Sequence, residues 1–334
     1  MSAADHDATP APLGLVGDVG GTHARFALAV RRDGRVQVEQ ALVFLARDYP
    51  TGEDAVRAYL AKVDAGRLPA AVVAAAGPVM DGAVAFTNNT AWRFSETGLK
   101  AAGGFEQARL INDFAAQALA IDHLQTGDCR SIGPAGRRPA GGSAVIMGPG
   151  TGFGVAARID DGRGRAILTG EGGHASFAPD DAEEIEILTR LARRFGHVSI
   201  ERVLSGPGLL NLYQTLAAIR GEPATLVEPD AVTRGALAGE PLSRLALERF
   251  CAILGSVAGD FALAYGARDG VYISGGIAPV IIDVLETSDF RRRFEAKGRF
   301  VDYLRPIPTR VVMEPRAALI GAAGLLATLG SSPP

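Results

Sequence analysis

At 334 residues, 47% of them hydrophobic and 21% charged, the chain has room for two globular cores, with about 150 residues per domain as the guide. Its net charge of −3 argues against nucleic acid or an anionic membrane as a partner and favours a small diffusible one. Two cysteines, Cys129 and Cys251, are too far apart for a zinc knuckle and too few for a disulfide framework, which points to a cytoplasmic location.

Residues 1–12 are polar, small and proline-containing, and read as a disordered tail rather than a signal peptide. Residues 15–26 then run as an apolar strand ending in Asp18, a turn through Gly20, Gly21 and Thr22, and a second strand over 27–30. Adjacent glycines let successive N–H groups face a phosphate. A carboxylate beside them is suited to the Mg²⁺ of a nucleotide, because phosphate itself would repel it. An ordinary hairpin with Asp18 as a solvated cap accounts for the same letters equally well.

A third strand is expected over 37–45, so the sheet begins as an antiparallel meander. A helix with apolar spacing follows over 53–65, then a fully apolar strand over 70–76 of the kind covered on both faces. Asp81-Gly82 reads as a turn and 87–92 as a polar cluster containing Asn88. Residues 110–114 close a short strand and open a helix over 115–121.

Beyond residue 125 the letters become loop-like as far as a Gly/Pro/Arg stretch around Arg137, a linker or a long surface loop. Residues 144–158 repeat the strand, glycine turn, strand logic of the opening, here through Gly150, Thr151 and Gly152. Two such turns suggest two related halves gripping one polyphosphate. Amphipathic helices are expected over 182–195 and 206–220, and a buried helix over 241–265. Strands follow at 270–274, leading into Gly275 and Gly276, and at 310–313, before a last helix over 316–329 that folds back on the first domain. The apolar stretches at 70–80 and 317–329 are broken or too short for the about 20 residues of a membrane span.

No G-x-x-x-x-G-K-[ST] occurs, and neither H-R-D nor D-F-G, which removes the P-loop and protein-kinase folds. Residues 152–157 match G-x-G-x-x-A, but a strand rather than a helix follows, against a dinucleotide site. Asp113 stands where a strand meets a helix, as either a helix cap or a base that takes the proton of a sugar hydroxyl during phosphoryl transfer. Glu171, Gly172, Gly173 and His174 form a polar loop that packing does not explain. With Asn88, Asn112 and Glu201 they supply the donors and acceptors that a polyhydroxylated substrate requires. Glu201 could equally be a surface charge paired with Arg194 or Arg202.

Residues 17–22, Ile111-Asn112-Asp113-Phe114, 148–154, 170–174, 197–208 and Ile273-Ser274-Gly275-Gly276-Ile277, in this order, resemble the bacterial glucokinases of the hexokinase and actin-like ATPase superfamily. The resemblance covers about residues 15–326. It implies an α/β protein of two actin-like ATPase (ribonuclease H-like) domains flanking a substrate cleft, a small domain of 13–123 with 315–334 and a large one of 124–314. The implied activity is ATP-dependent phosphorylation of glucose at its 6-hydroxyl. By the same resemblance Asp113 is the catalytic base, and Asn112, Glu171, His174 and Glu201 bind the sugar with Asn88 or Asn89 nearby. By it too, Gly20, Gly21, Thr22, Gly150, Thr151 and Gly152 grip phosphate, and Gly275 and Gly276 lie on the adenosine side. Family members close two domains on the sugar and are commonly homodimers.

His23 stands where many members have asparagine, and the zinc motif of the related ROK sugar kinases does not occur. A kinase of the same fold acting on another hexose or donor, and a sugar-sensing regulator without catalysis, are the competing readings. The second lacks a basic face and a helix-turn-helix.

Overall fold

The computed structural model describes residues 11–86, 89–134 and 142–329. The loop around Arg137 and all of the expected tail except Ala11 and Pro12 lie outside them. Contacts divide the chain into unit 1, residues 1–124 with 315–334, and unit 2, residues 125–314.

Unit 1 opens with β1 (Gly14–Val19), β2 (His23–Arg32) and β3 (Arg35–Leu45), a meander joined by tight turns. Helix α1 (Gly52–Val63) follows, its first turn capped by Thr51, whose hydroxyl accepts the Asp54 N–H at 3.1 Å. Then come β4 (Ala70–Ala75), the hairpin β5 (Ala83–Phe86) and β6 (Asn89–Ser95), α2 (Glu96–Gly103), β7 (Gln107–Asn112) and α3 (Asp113–Ala120). Among the described residues the main sheet has five strands in the order β3-β2-β1-β4-β7, with β1, β4 and β7 parallel. Both faces of the parallel part are covered, which is why β4 is apolar throughout. Leu15, Phe26, Val73, Val56 and Tyr59 pack on one face; Val16, Ala29 and Val72 meet Leu319, Ala322 and Leu326 of the C-terminal helix (Ala317–Leu329) on the other. That helix does fold back on the first unit, as expected.

Unit 2 repeats the plan. It contains β8 (Cys129–Ile132), β9 (Ala144–Pro149), β10 (Phe153–Asp160) and β11 (Arg165–Gly170), then α4 (Ala182–Phe195), α5 (Gly206–Arg220), α6 (Pro229–Leu237) and α7 (Pro241–Ala264). Strand β12 (Gly270–Ile273), helices α8 (Ile282–Thr287), α9 (Phe290–Glu295) and α10 (Val301–Leu304), and β13 (Thr309–Val312) complete it. The described sheet runs β11-β10-β9-β12-β13-β8. Its β11-β10-β9 meander followed by parallel β12 and β13 has the same connectivity as β3-β2-β1-β4-β7.

Three sequence readings need correction. The stretch after residue 125 is not simply loop: β8 pairs antiparallel with β13, and a four-residue edge strand with one buried side chain leaves almost no pattern in the letters. Helix α5 is not amphipathic in the simple sense, because α4, α6 and α7 surround it and bury Leu209, Asn211, Leu212, Tyr213, Thr215 and Leu216. Helix α3 begins at Asp113, two residues earlier than expected, and its N-cap is Asn112.

Candidate active site

In unit 1 the register places Val19, Ala75 and Asn112 side by side at the carboxyl ends of three parallel strands. Loops that leave such an edge are where open α/β sheets bind ligands. From β1 leaves the turn through Gly20, Gly21 and Thr22. The Gly20 N–H donates to the His23 carbonyl at 2.9 Å, and the ring Nδ1 of His23 lies 3.0 Å from the Thr22 hydroxyl. Asp18, one residue inside the edge, pairs with Arg25 across the β1–β2 ladder at 3.3 Å. Its side chain is 23% exposed, so it is not a solvated cap. Burial raises the Asp18 carboxyl above the usual carboxylate range, and the Arg25 charge and hydrogen bond act against that rise.

From β7 leaves α3. The Asn112 Oδ1 accepts the N–H of Phe114 at 2.9 Å and of Ala115 at 3.1 Å, and its Nδ2 donates to the Gly77 carbonyl at 3.2 Å. Capping therefore falls chiefly to Asn112, whose side chain is already committed on both atoms. Asp113, half-buried at the first helical position, has one oxygen 2.9 Å from the Phe114 N–H. Asn88 lies outside the described residues.

In unit 2 the same kind of edge gathers the other candidates. Phe153 pairs with Pro149 at the mouth of β9 and β10, and the turn Gly150-Thr151-Gly152 between them is closed by the Gly150 N–H donating to the Gly152 carbonyl at 2.8 Å. Beside it, Ser274 N–H donates to Met147 O at 2.7 Å as β12 ends. Gly275 then turns with φ +86°, where a Cβ would stand 2.4 Å from the Pro149 carbonyl. Gly276 has open space instead.

Strand β11 ends at Gly170, and the 3-10 turn Gly172–His174 follows it with Glu171 as its N-cap. Residues 175–177 pair with 198–200: Ser176 bridges Ser199, Ile200 N–H donates to Ala175 O, and Phe177 N–H donates to Val198 O, each at 2.9 Å. His174 and Glu201 thus stand two positions beyond that bridge on opposite segments. The His197 Nε2 donates to the His174 carbonyl at 3.0 Å. Glu171 and His174 are exposed, and Glu201 is half-buried with its Oε2 accepting the Phe153 N–H at 2.9 Å. No ion pair of Glu201 with Arg194 or Arg202 is present among the described residues, and Arg194 instead donates to Asn211 at 3.2 Å.

Unit 1 therefore brings together Asp18, Gly20, Gly21, Thr22, Asn112 and Asp113. Unit 2 brings together Gly150, Thr151, Gly152, Glu171, His174, Glu201, Gly275 and Gly276. The sequence motifs contained Arg25, Phe153, His197 and Ser205 but assigned no role to any of them.

A strand-turn-strand edge occurring once in each unit, with carboxylates, a histidine and glycine turns as its loops, defines a kinase-type α/β protein of the actin-like ATPase fold. The chain superposes on the crystal structure of a glucokinase from an Antarctic psychrotroph with a TM-score of 0.86 at 38% identity, covering 94% of this chain and 98% of that one. A ROK family glucokinase from Streptomyces griseus, solved in complex with glucose and AMPPNP, shares the fold, with a TM-score of 0.64 at 20% identity, 94% of this chain and 99% of that one. The family model Glucokinase matches residues 15–329, and a glucokinase of Caulobacter sp. (strain K31) is 53% identical over 311 residues, 93% of this chain and 94% of that protein. The chain belongs to the glucokinase family.

Proposed function

We propose that this glucokinase-family enzyme transfers the terminal phosphoryl group of ATP to the 6-hydroxyl of D-glucose, with Asp113 as general base. The hydroxyl proton passes to the Asp113 carboxylate, a bond forms from O6 to the γ-phosphorus, and the bond from that phosphorus to the bridging oxygen breaks to release ADP. Glu171, His174 and Glu201 hold the sugar hydroxyls, with Asn112 contributing the amide hydrogen that Gly77 does not take. The turns at Gly20–Thr22 and Gly150–Gly152 receive the phosphates, and Gly275 and Gly276 the adenosine side. The observation that carries this reading is the gathering of Glu171, His174 and Glu201 at one sheet edge with the Gly150 turn, in a chain of this family.

Mg²⁺ bound with ATP would neutralise phosphate charge, and Asp18 is the residue that would hold it. The donor set fits a nucleotide-borne ion, which takes one or two carboxylates and otherwise phosphate and water. Among the described residues no group of three or more His, Cys, Asp or Glu forms an all-protein site. No described helix is long and apolar enough to cross a membrane. A cytoplasmic homodimer is part of the same proposal. Its location is supported by the two unpaired cysteines and its assembly by the family resemblance, and light scattering checks the latter.

A coupled assay with a panel of glucose, mannose and glucosamine, with ATP or polyphosphate as donor, tests the reading. The highest kcat/KM is expected for glucose with ATP. Preference for another sugar, or phosphate release indifferent to sugar, would overturn it.

A further inference from the structure

The segment that carries Glu201 holds the Gly150–Gly152 turn at two points and is itself braced at a third. The Glu201 Oε2 accepts the Phe153 N–H at 2.9 Å, the Gly206 N–H donates to the Gly150 carbonyl at 2.9 Å, and the Ser205 hydroxyl donates to the Glu201 carbonyl at 2.8 Å. Ser205 also caps α5 by accepting the Gly208 N–H at 2.9 Å, so the brace is anchored in a fifteen-residue helix. The turn is shaped to receive the carboxylate: a Cβ at Gly152 would stand 2.5 Å from Oε2 but 4.0 Å from Oε1. Oε2 is therefore the oxygen seated in the turn, and Oε1 keeps lone pairs for another donor.

We propose that Glu201 serves both subsites, with Oε1 accepting a sugar hydroxyl while Oε2 fixes the phosphate turn as a positioning residue. The inference rests on the reading of that turn as a nucleotide grip. Its physical content lies in the amides. Gly150 N–H is used inside the turn and Phe153 N–H is used by Glu201, so Thr151 and Gly152 are the turn's donors to an outside anion. Their direction depends on how the turn is pinned at both ends. A carboxylate at this place repels a phosphate, so its presence is explained by geometry and not by charge.

That conflict of charge and geometry gives opposite expectations for two substitutions. Glu201→Gln keeps an oxygen for the Phe153 N–H and removes the repulsion; Glu201→Ala removes both. Calorimetric titration of AMPPNP without sugar isolates the phosphate turn from any sugar contact. Expected is a Kd about three- to tenfold weaker for Glu201→Ala, the range of one net hydrogen bond, and a Kd equal to or tighter than the parent for Glu201→Gln. Glu201→Met, which keeps the length and loses the acceptor, replaces the alanine variant if that one does not fold.

Unchanged or tighter AMPPNP binding by Glu201→Ala or Glu201→Met would overturn the inference, and so would equal losses in the Ala and Gln variants. Gly150→Ala separates this from failure of the underlying reading. A Cβ at Gly150 meets no protein atom within 4 Å, so it obstructs only a ligand. If Gly150→Ala weakens AMPPNP and Glu201→Ala does not, the inference falls and the nucleotide grip stands. If Gly150→Ala leaves AMPPNP binding unchanged, the grip itself is misassigned and the inference falls with it.

Discussion

Asn112 relieves Asp113 of the main work of capping α3: its Oδ1 takes the amide hydrogens of Phe114 and Ala115 at 2.9 and 3.1 Å, leaving its neighbour one residue inside the helix. The two side chains should then fail in different ways. Asn112→Ala is expected to lower stability by about 1 kcal/mol, the usual loss of a good N-cap. Asp113→Asn should melt within a degree or two of the parent. Thermal denaturation followed by circular dichroism compares them, and a larger loss for Asp113→Asn would reverse the assignment of the cap.

Asp18 is held above its ordinary protonation range by burial, against the pull of Arg25. Between its unfolded and folded values the folded chain binds more protons than the unfolded one, so stability falls as pH rises through that window and stays reduced above it. Asp18→Asn removes that loss. Its melting temperature is expected to exceed the parent's near pH 7, with the gap closing as pH falls below the ordinary carboxyl value of about 4. Arg25 is 46% exposed, so losing the ion pair costs little. A gap that stays constant or widens toward acid would contradict this.

His197 donates to the backbone carbonyl of His174, in the loop proposed to hold the sugar. His197→Ala is expected to raise the KM for glucose about three- to tenfold, the scale of one net hydrogen bond, with the KM for ATP unchanged. His197→Gln, which keeps a donor, should recover most of that loss. Initial rates over both substrates make the separation, and a rise in both KM values would assign His197 to general stability instead.

Gly275 and Gly276 look alike in the sequence and differ in the structure. Alanine at 275 would need φ +86° and would meet the Pro149 carbonyl at 2.4 Å, whereas alanine at 276 meets nothing within 4 Å. Gly275→Ala should lower stability by at least about 1–3 kcal/mol. Gly276→Ala should leave it unchanged, so any rise in its KM for ATP reports a ligand at that spot. Equal melting temperatures for the two variants would contradict the turn geometry.

Much of this was legible in the letters because glycine turns and apolar strands are local signals. The β1 and β9–β10 elements, α4 and α5 come out with bounds close to those expected, β2 starts four residues before the expected 27, and the two similar turns do fall one in each unit. What escaped was set by contacts distant in sequence. Strand β8 exists because β13 offers it a ladder 177 residues later, to which the Thr309 hydroxyl adds a side-chain bond to the Ile132 carbonyl at 2.6 Å. Helix α6 (Pro229–Leu237) follows a proline-containing stretch and buries Val232 and Ala236 against α5 and α7, too few positions to show a period. The links from His197 to His174 and from Glu201 to Phe153 end on backbone atoms, and a backbone carbonyl or amide is the same beside every letter. That Asn112 and not Asp113 is the N-cap of α3 was hidden too, because only the folded chain displays the capping geometry.

The proposed role of the Asp113 carboxylate is to receive the proton of the sugar's 6-hydroxyl. The most direct measurement is single-turnover formation of glucose 6-phosphate by Asp113→Asn beside the parent, with saturating ATP and glucose. A loss of about 10²–10⁴-fold in rate, with AMPPNP affinity and melting temperature retained, is the predicted result. Parental turnover by the asparagine variant would contradict it.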